Sequence, residues 1–372
     1  MLDTGSSPSP RRLLFPIFLL VLLFLPTLAQ AQAIIKVNDD VWIRFGTQLQ
    51  LWADEAQDSA TKEYNQNLYI RRARVLLTGS VAKDVTFFIQ TDDPNLGKSP
   101  KALGSGYILQ DGWAQWKIRD EFALNAGLML IPLNRAELVS TTSFITVDIS
   151  PTATVFATPT QTSGTRDTGF EAQGYVADGR LEYRAGLFQG IRDAATTTTV
   201  ASHNAFRRSV WLSYDFWEKE RGYVYAGTNR GTKKVLALSG GYDAQKTYKA
   251  YSASVHSTVP VNGKDEFAVL AQGVHYDGGK FLTTLPRQND YLAEFGYYIA
   301  PSKIQPFVKF EDQKFTVTSI PSKDQKRYGG GFNYYVYGQN LKLTGQVTHV
   351  KFSNSALHST NELTVQMQVW YY

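Results

Sequence analysis

From residue 41 onward the chain alternates. In its last segment Leu363, Val365, Met367 and Val369 fall on one side of an extended strand, while Thr364, Gln366 and Gln368 fall on the other, because successive side chains of a strand point to opposite faces. Segments of this period-two kind recur along the chain, separated by clusters of Gly, Asn, Asp, Pro and Ser, and helical spacing is nearly absent. Strands are predicted at 41–53, 66–79, 84–92, 107–118, 121–130, 167–177, 180–189 and 205–216, then at 234–243, 247–257, 265–277, 289–299, 304–313, 326–336, 340–351 and 361–372. Alternate connections are short turns such as Arg119-Asp120, Asp178-Gly179 and Gly338-Gln339, and most of the others are longer and polar. An all-β chain of about sixteen amphipathic strands, with short turns at one end and longer loops at the other, has the pattern of a transmembrane antiparallel β-barrel, its apolar face on lipid and its polar face on a water-filled lumen.

Two segments stand apart from the pattern. Residues 217–233 sit where a short turn is needed, yet Tyr223-Val224-Tyr225 reads as strand, which would change the count by two. The third long loop, 131–166, is rich in Ser, Thr, Ala and Pro. A loop of that length in a compact domain is usually functional, and it is expected to fold into the lumen and narrow it.

Residues 1–31 follow a different rule. Arg11 and Arg12 precede an apolar run from Leu13 to Leu28, broken by Pro16 and Pro26, and small residues follow up to Ala31 and Ala33. A spanning helix needs ~20 apolar residues, so the segment is expected to be a signal peptide. The remaining chain divides into a lead-in, 32–40, and the barrel, 41–372, destined for the lipid of the bacterial outer membrane. Losing Asp3, Arg11 and Arg12 with the leader lowers the formal net charge from +5 to +4, too mild a balance to suggest a nucleic-acid partner. The chain has no cysteine, which excludes disulfides, thiolate metal sites and cysteine redox chemistry. Phe, Tyr and Trp make up 13% of residues, enough to supply the ring girdles of a membrane barrel.

Which face of each strand meets lipid follows from cost, since Arg or Lys at the membrane midplane is unfavourable by about 2–4 kcal/mol. In the second strand Ala73, Val75 and Leu77 form the apolar set. Arg72 and Arg74 therefore face the lumen, and Arg71 is tolerable only near the outer rim, where it can reach headgroups. The same argument sends Arg44, Lys117, Arg184, Arg207, Lys309, Arg327 and Lys342 inward, against Asp92, Asp111, Asp167, Glu171, Glu182, Asp215, Glu294 and Glu311. Arg72 and Arg74 lie about 7 Å apart on one face. With Arg135 from the long loop they are expected to form part of the constriction, where guanidinium groups hold oxyanions bidentately; Arg166 at the loop boundary completes the candidates.

Catalytic and metal chemistry find little support. The five histidines show no metal-ligand spacing, there is no Gly-x-Ser-x-Gly elbow, and Asp92-Asp93-Pro94-Asn95 lacks the further oxygen ligands and the glycine of a calcium loop. No enzyme and no cofactor are expected.

Several segments, in order, resemble the phosphate-selective porin O and P family: Ile70-Arg71-Arg72-Ala73-Arg74-Val75, Gly127-Leu128-Met129-Leu130-Ile131-Pro132, Arg166-Asp167-Thr168-Gly169, Tyr183-Arg184-Ala185-Gly186-Leu187-Phe188-Gln189-Gly190, and Phe332-Asn333-Tyr334-Tyr335 with Leu341-Lys342-Leu343. The resemblance covers most of the chain after the leader. It implies a homotrimer of sixteen-stranded porins, a third loop folded into the lumen, and anion passage along a ladder of arginines. The long loop here carries Arg135 and Arg166 and no lysine. The expected function is passive diffusion of small hydrophilic solutes, anionic or neutral, with anions preferred and phosphate or polyphosphate among them. The alternative is a barrel acting as receptor or adhesin through its outer loops, which would have a plugged lumen. An energised transporter would need a plug domain ahead of the barrel, and only about ten residues separate the expected cleavage site from Val41.

Overall fold

In the chain as a computed structural model, the described residues are 33–101, 103–104, 106–154, 165–191, 205–316 and 323–372; the leader, 1–31, lies outside them. The strands are β1 (Ile34–Lys36), β2 (Trp42–Gln57), β3 (Tyr64–Ala82), β4 (Val85–Asp92), β5 (Ile108–Arg119), β6 (Phe122–Leu130), β7 (Arg166–Val176), β8 (Leu181–Phe188) and β9 (Arg207–Asp215), followed by β10 (Val235–Gln245), β11 (Tyr248–Val261), β12 (Asp265–Asp277), β13 (Gln288–Tyr298), β14 (Ile304–Phe315), β15 (Gln325–Tyr335), β16 (Leu341–Phe352) and β17 (Thr360–Tyr371). From β2 to β17 each strand pairs antiparallel with the next, and β17 returns to β2, with Tyr371 opposite Thr47 and Glu362 opposite Ala56. Sixteen strands thus close on themselves and leave no open sheet edge, as a sheet in hydrocarbon requires. The lead-in contributes β1, which pairs with the start of β2 (Ile34 opposite Arg44).

The faces are inverted relative to a water-soluble protein. Phe45, Val75, Leu187, Leu212, Val308 and Leu363 are exposed on the outside, while Gln48, Gln50, Arg184, Ser213 and Gln368 are buried within. Outward rings gather at two levels. Toward the long-loop end Tyr251 stacks on His275 (4.7 Å between centroids) and Phe310 meets Tyr328 (5.4 Å). Toward the short-turn end Phe267 meets Tyr297 (4.5 Å) and Tyr214 meets Phe216 (4.9 Å). On β12 the two levels cross residues 267 and 275, about 26 Å apart along the strand. A tilt of about 40° brings that to roughly 20 Å of height, near the ~25 Å apolar band of such barrels.

Two bulges re-aim side chains on one wall. Gln50 is opposite Arg72 but Leu51 is opposite Ile70, so Arg71 is an extra residue on β3. Gln90 is opposite Asp111 but Thr91 is opposite Leu109, so Gln110 is extra on β5. An extra residue breaks the strict alternation of faces. Arg71 and Arg72 therefore both turn inward, which corrects the expectation that Arg71 reaches out to headgroups.

Two segments run inside the wall. Residues 131–154 bond to inward groups on many strands: Ser209 donates to the Pro132 carbonyl (2.8 Å), Ser252 to that of Leu133 (2.6 Å), Asn333 to that of Ile145 (2.7 Å) and Lys342 to that of Thr142 (3.0 Å). The segment carries a single turn of helix, α1 (Arg135–Leu138), whose cap Asn134 accepts the Glu137 N–H. Residues 217–233 are neither a short turn nor further strands, so the count stays at sixteen. They enter from the opposite end and meet the first segment in a parallel bridge, where Tyr225 donates to the Leu138 carbonyl and Ser140 to that of Tyr225 (2.8 Å each).

Candidate functional site

The wall formed by β2 to β5, together with the two inward segments, encloses a cavity of about 650 Å³. One side of it is basic. Arg72 donates to Asp148 (2.5 Å) and Gln50 (2.6 Å), and Arg71 donates to the same Asp148 (2.9 Å). Arg74 donates to Asp92 (2.8 Å) and Thr141 (3.1 Å), and Arg166 to Asp111 (3.2 Å). Burial raises the Asp148 carboxyl, but the two guanidinium groups outweigh that and hold it well below the usual carboxylate range. Glu137, also on the cavity, is pushed up to about 8, because its burial outweighs the pull of Arg207 and Arg166. Among the described residues here, Arg71 and Arg72 thus share one carboxylate, while Arg74 and Arg166 have one each in Asp92 and Asp111.

The other side is aromatic. Phe88 and Trp113 are cross-strand partners one row from Gln90 and Asp111, toward the short turns. With Tyr223 from the second inward segment they form a ring cluster at centroid distances of 5.7, 4.7 and 6.1 Å. Tyr223 is fixed by its hydroxyl, which donates to Asp111 (2.8 Å) and accepts from the Leu130 N–H (2.7 Å). Trp113 and Tyr223 also line a second cavity of about 260 Å³, lined besides by Lys117, Arg119, Asp120 and Arg221. The two rings stand between the cavities.

The candidate cations separate into groups. Arg72, Arg74 and Arg166 come together on the larger cavity, joined by Arg71. Arg135 does not join them, a correction: its first turn of helix carries it to the junction of the two inward segments. There it is fully buried, grips Glu220 with a fork of 2.7 and 2.9 Å, and lies 4.1 Å over the Tyr225 ring. Arg184 is held by Glu182 (2.8 Å) and the Gly222 and Tyr223 carbonyls. Arg207 pairs with Asp243, Lys309 with Glu311 (3.5 Å), and Arg327 bridges Glu311 (3.2 Å) and Glu362 (2.6 Å). Lys342 is spent on the carbonyls of Thr142 and Phe144. Lys117 pairs with Asp120 at the short-turn end, half exposed, and Arg44 packs against the rings of Trp42 and Tyr372.

The sequence reading placed Arg71 at the outer rim and Tyr223 in a possible strand, and it named neither Phe88 nor Trp113. The signal for Arg71 was present: outward apolar residues fall on even numbers at Leu68 and Ile70 and on odd numbers at Ala73, Val75 and Leu77, a parity shift that requires an extra residue between them.

The model of the family described as phosphate-selective porin O and P matches residues 45–231. No curated protein matches the chain in sequence. Among solved structures, OmpF of Salmonella typhi in complex with daunomycin aligns at TM-score 0.60 and 12% identity, covering 90% of this chain and 99% of its own. OprB of Pseudomonas putida aligns at 0.62 and 8% over 88% and 94%. The trimer form of OmpT from Vibrio cholerae aligns at 0.56 and 9% over 90% and 100%.

Proposed function

The chain belongs to the phosphate-selective porin O and P family and is a channel of the bacterial outer membrane, and from that premise we propose that it is a passive, anion-preferring pore for small hydrophilic solutes, working as a homotrimer after removal of its leader. The observation that carries the anion preference is the sharing of Asp148 between Arg71 and Arg72, which sets two guanidinium groups against one carboxylate beside the larger cavity. Arg72, Arg74 and Arg166 are the candidates to contact the solute; Arg71 is added to them, and Lys117 guards the inner mouth. The buried cations Arg135, Arg184, Arg207 and Lys342 serve the architecture. Passage of a solute needs no cofactor, since diffusion down a gradient drives it. Phosphate is one candidate solute, and the trimeric OmpT neighbour agrees with the oligomer.

A second reading, a receptor barrel, draws on one feature: the Trp113 and Tyr223 rings, 4.7 Å apart, between the two cavities. Planar bilayers separate the two. Under a KCl gradient the purified protein is expected to open in steps with a chloride-preferring reversal potential, and added phosphate is expected to interrupt the current. Cation preference would remove the anion assignment. A silent protein would favour the receptor.

A further inference from the structure

The larger cavity carries two recognition elements at once. Ligand sites are commonly cavities of about 300–1,000 Å³, mostly apolar, with a few placed polar groups, and this one, at about 650 Å³, has its guanidinium groups on one side and its ring cluster on the other. Inorganic anions have no use for the second element. The Gln90 and Asp111 row, where Arg166 is held, and the Phe88 and Trp113 row are adjacent on the same face of β4 and β5. Adjacent rows on a face are about 7 Å apart, close to the length of one benzene ring with its carboxylate.

We infer that this cavity binds planar aromatic monocarboxylates, the carboxylate taken by the arginine side (Arg71, Arg72, Arg74 and Arg166) and the ring laid against Phe88, Trp113 and Tyr223. Two further points support it. Arg71 and Arg72 share the single carboxylate of Asp148, so a ligand carboxylate has a guanidinium group to meet. Rings prefer offset or edge contact with other rings, a preference a saturated or inorganic anion cannot exploit. Beyond the rings lies the smaller cavity with Lys117, Arg119 and Arg221, a basic exit for the same anion.

The inference rests on the anion-pore reading above, and the test keeps the two apart. Single channels of the full chain are recorded in KCl with sodium benzoate, sodium acetate or sodium phosphate added. Benzoate is expected to interrupt the current at about one-tenth the concentration that acetate needs, a difference of about 1.4 kcal/mol. Trp113→Leu, and independently Phe88→Leu on the neighbouring strand, are expected to bring that ratio close to one. The ratio does not depend on how much current each variant carries. Equal potency of benzoate and acetate in the natural protein, or an unchanged ratio in both variants, overturns the aromatic site. Block by phosphate without preference for benzoate also overturns it while leaving the anion pore in place. A protein that passes no current overturns the anion pore, and the aromatic site is then overturned if benzoate quenches tryptophan fluorescence no more readily than acetate, or does so equally in Trp113→Leu.

Discussion

At the scale of single residues, the state of two carboxyl groups on the first inward segment sets the charge of the larger cavity. Asp148 stays ionised because Arg71 and Arg72 outweigh its burial. Replacing it with Asn leaves two neighbouring guanidinium groups without their carboxylate, at a cost of roughly 1–3 kcal/mol for the lost charged partner. Asp148→Asn is therefore expected to lower the thermal midpoint and to raise chloride preference, read by calorimetry and by reversal potential; unchanged values in both would show that the pairing is dispensable. Glu137 behaves in the opposite way. Its carboxyl, pushed up to about 8 by burial, is protonated and neutral below that pH and ionised above it. As pH rises from about 6 to about 9 it adds a negative charge to the cavity, so chloride preference should fall. Glu137→Gln should flatten that step, and a step of the same size in the variant would assign it to another group.

At the scale of elements, two connections from opposite ends of the barrel meet inside it and hold each other. The bridge between Val139 and Tyr225, the fork from Arg135 to Glu220, and the Gly227 N–H donating to Ser143 (3.1 Å) join them. Their fit against the wall is close: a Cβ at Gly241 would lie 1.8 Å from the Leu133 carbonyl oxygen. Gly241→Ala must push residues 131–134 off β10, and overpacking of this kind costs about 1–3 kcal/mol. Faster proteolysis of the inward segment, with the barrel intact, is the expected result, and natural resistance would show that the contact can relax. Tyr223→Ala removes one of the two rings between the cavities, and single-channel conductance should rise above that of the natural protein. If conductance is unaltered, the conducting path bypasses the Trp113 and Tyr223 contact.

At the scale of the whole molecule, closure of sixteen strands and the two aromatic levels fix how the barrel sits in a membrane, while association depends on the outer face. A homotrimer is expected, tested by light scattering in mild detergent with the detergent contribution subtracted; a protein mass equal to one chain would remove it.

The architecture was legible because it is written in short range. Alternation along Leu363, Val365, Met367 and Val369, opposed to Thr364, Gln366 and Gln368, needs only the two-residue period of a strand and the cost of charge in lipid. Charge parity likewise placed Arg72 and Arg74 on the inner face, and length alone marked 131–166 as a segment with somewhere to go. What the alternation could not settle was what those inward groups would meet. Asp148 comes to Arg71 and Arg72 across more than seventy residues, Glu220 takes Arg135 across eighty-five, and Lys342 reaches the Thr142 carbonyl across two hundred. Each partner is supplied by a segment whose path depends on which wall groups can satisfy its backbone, and a buried charge goes to whichever opposite charge the folded chain brings within reach. The sequence by itself determined a barrel with cations inside; only the tertiary structure decided which were neutralised within the wall and which were gathered around the open cavity.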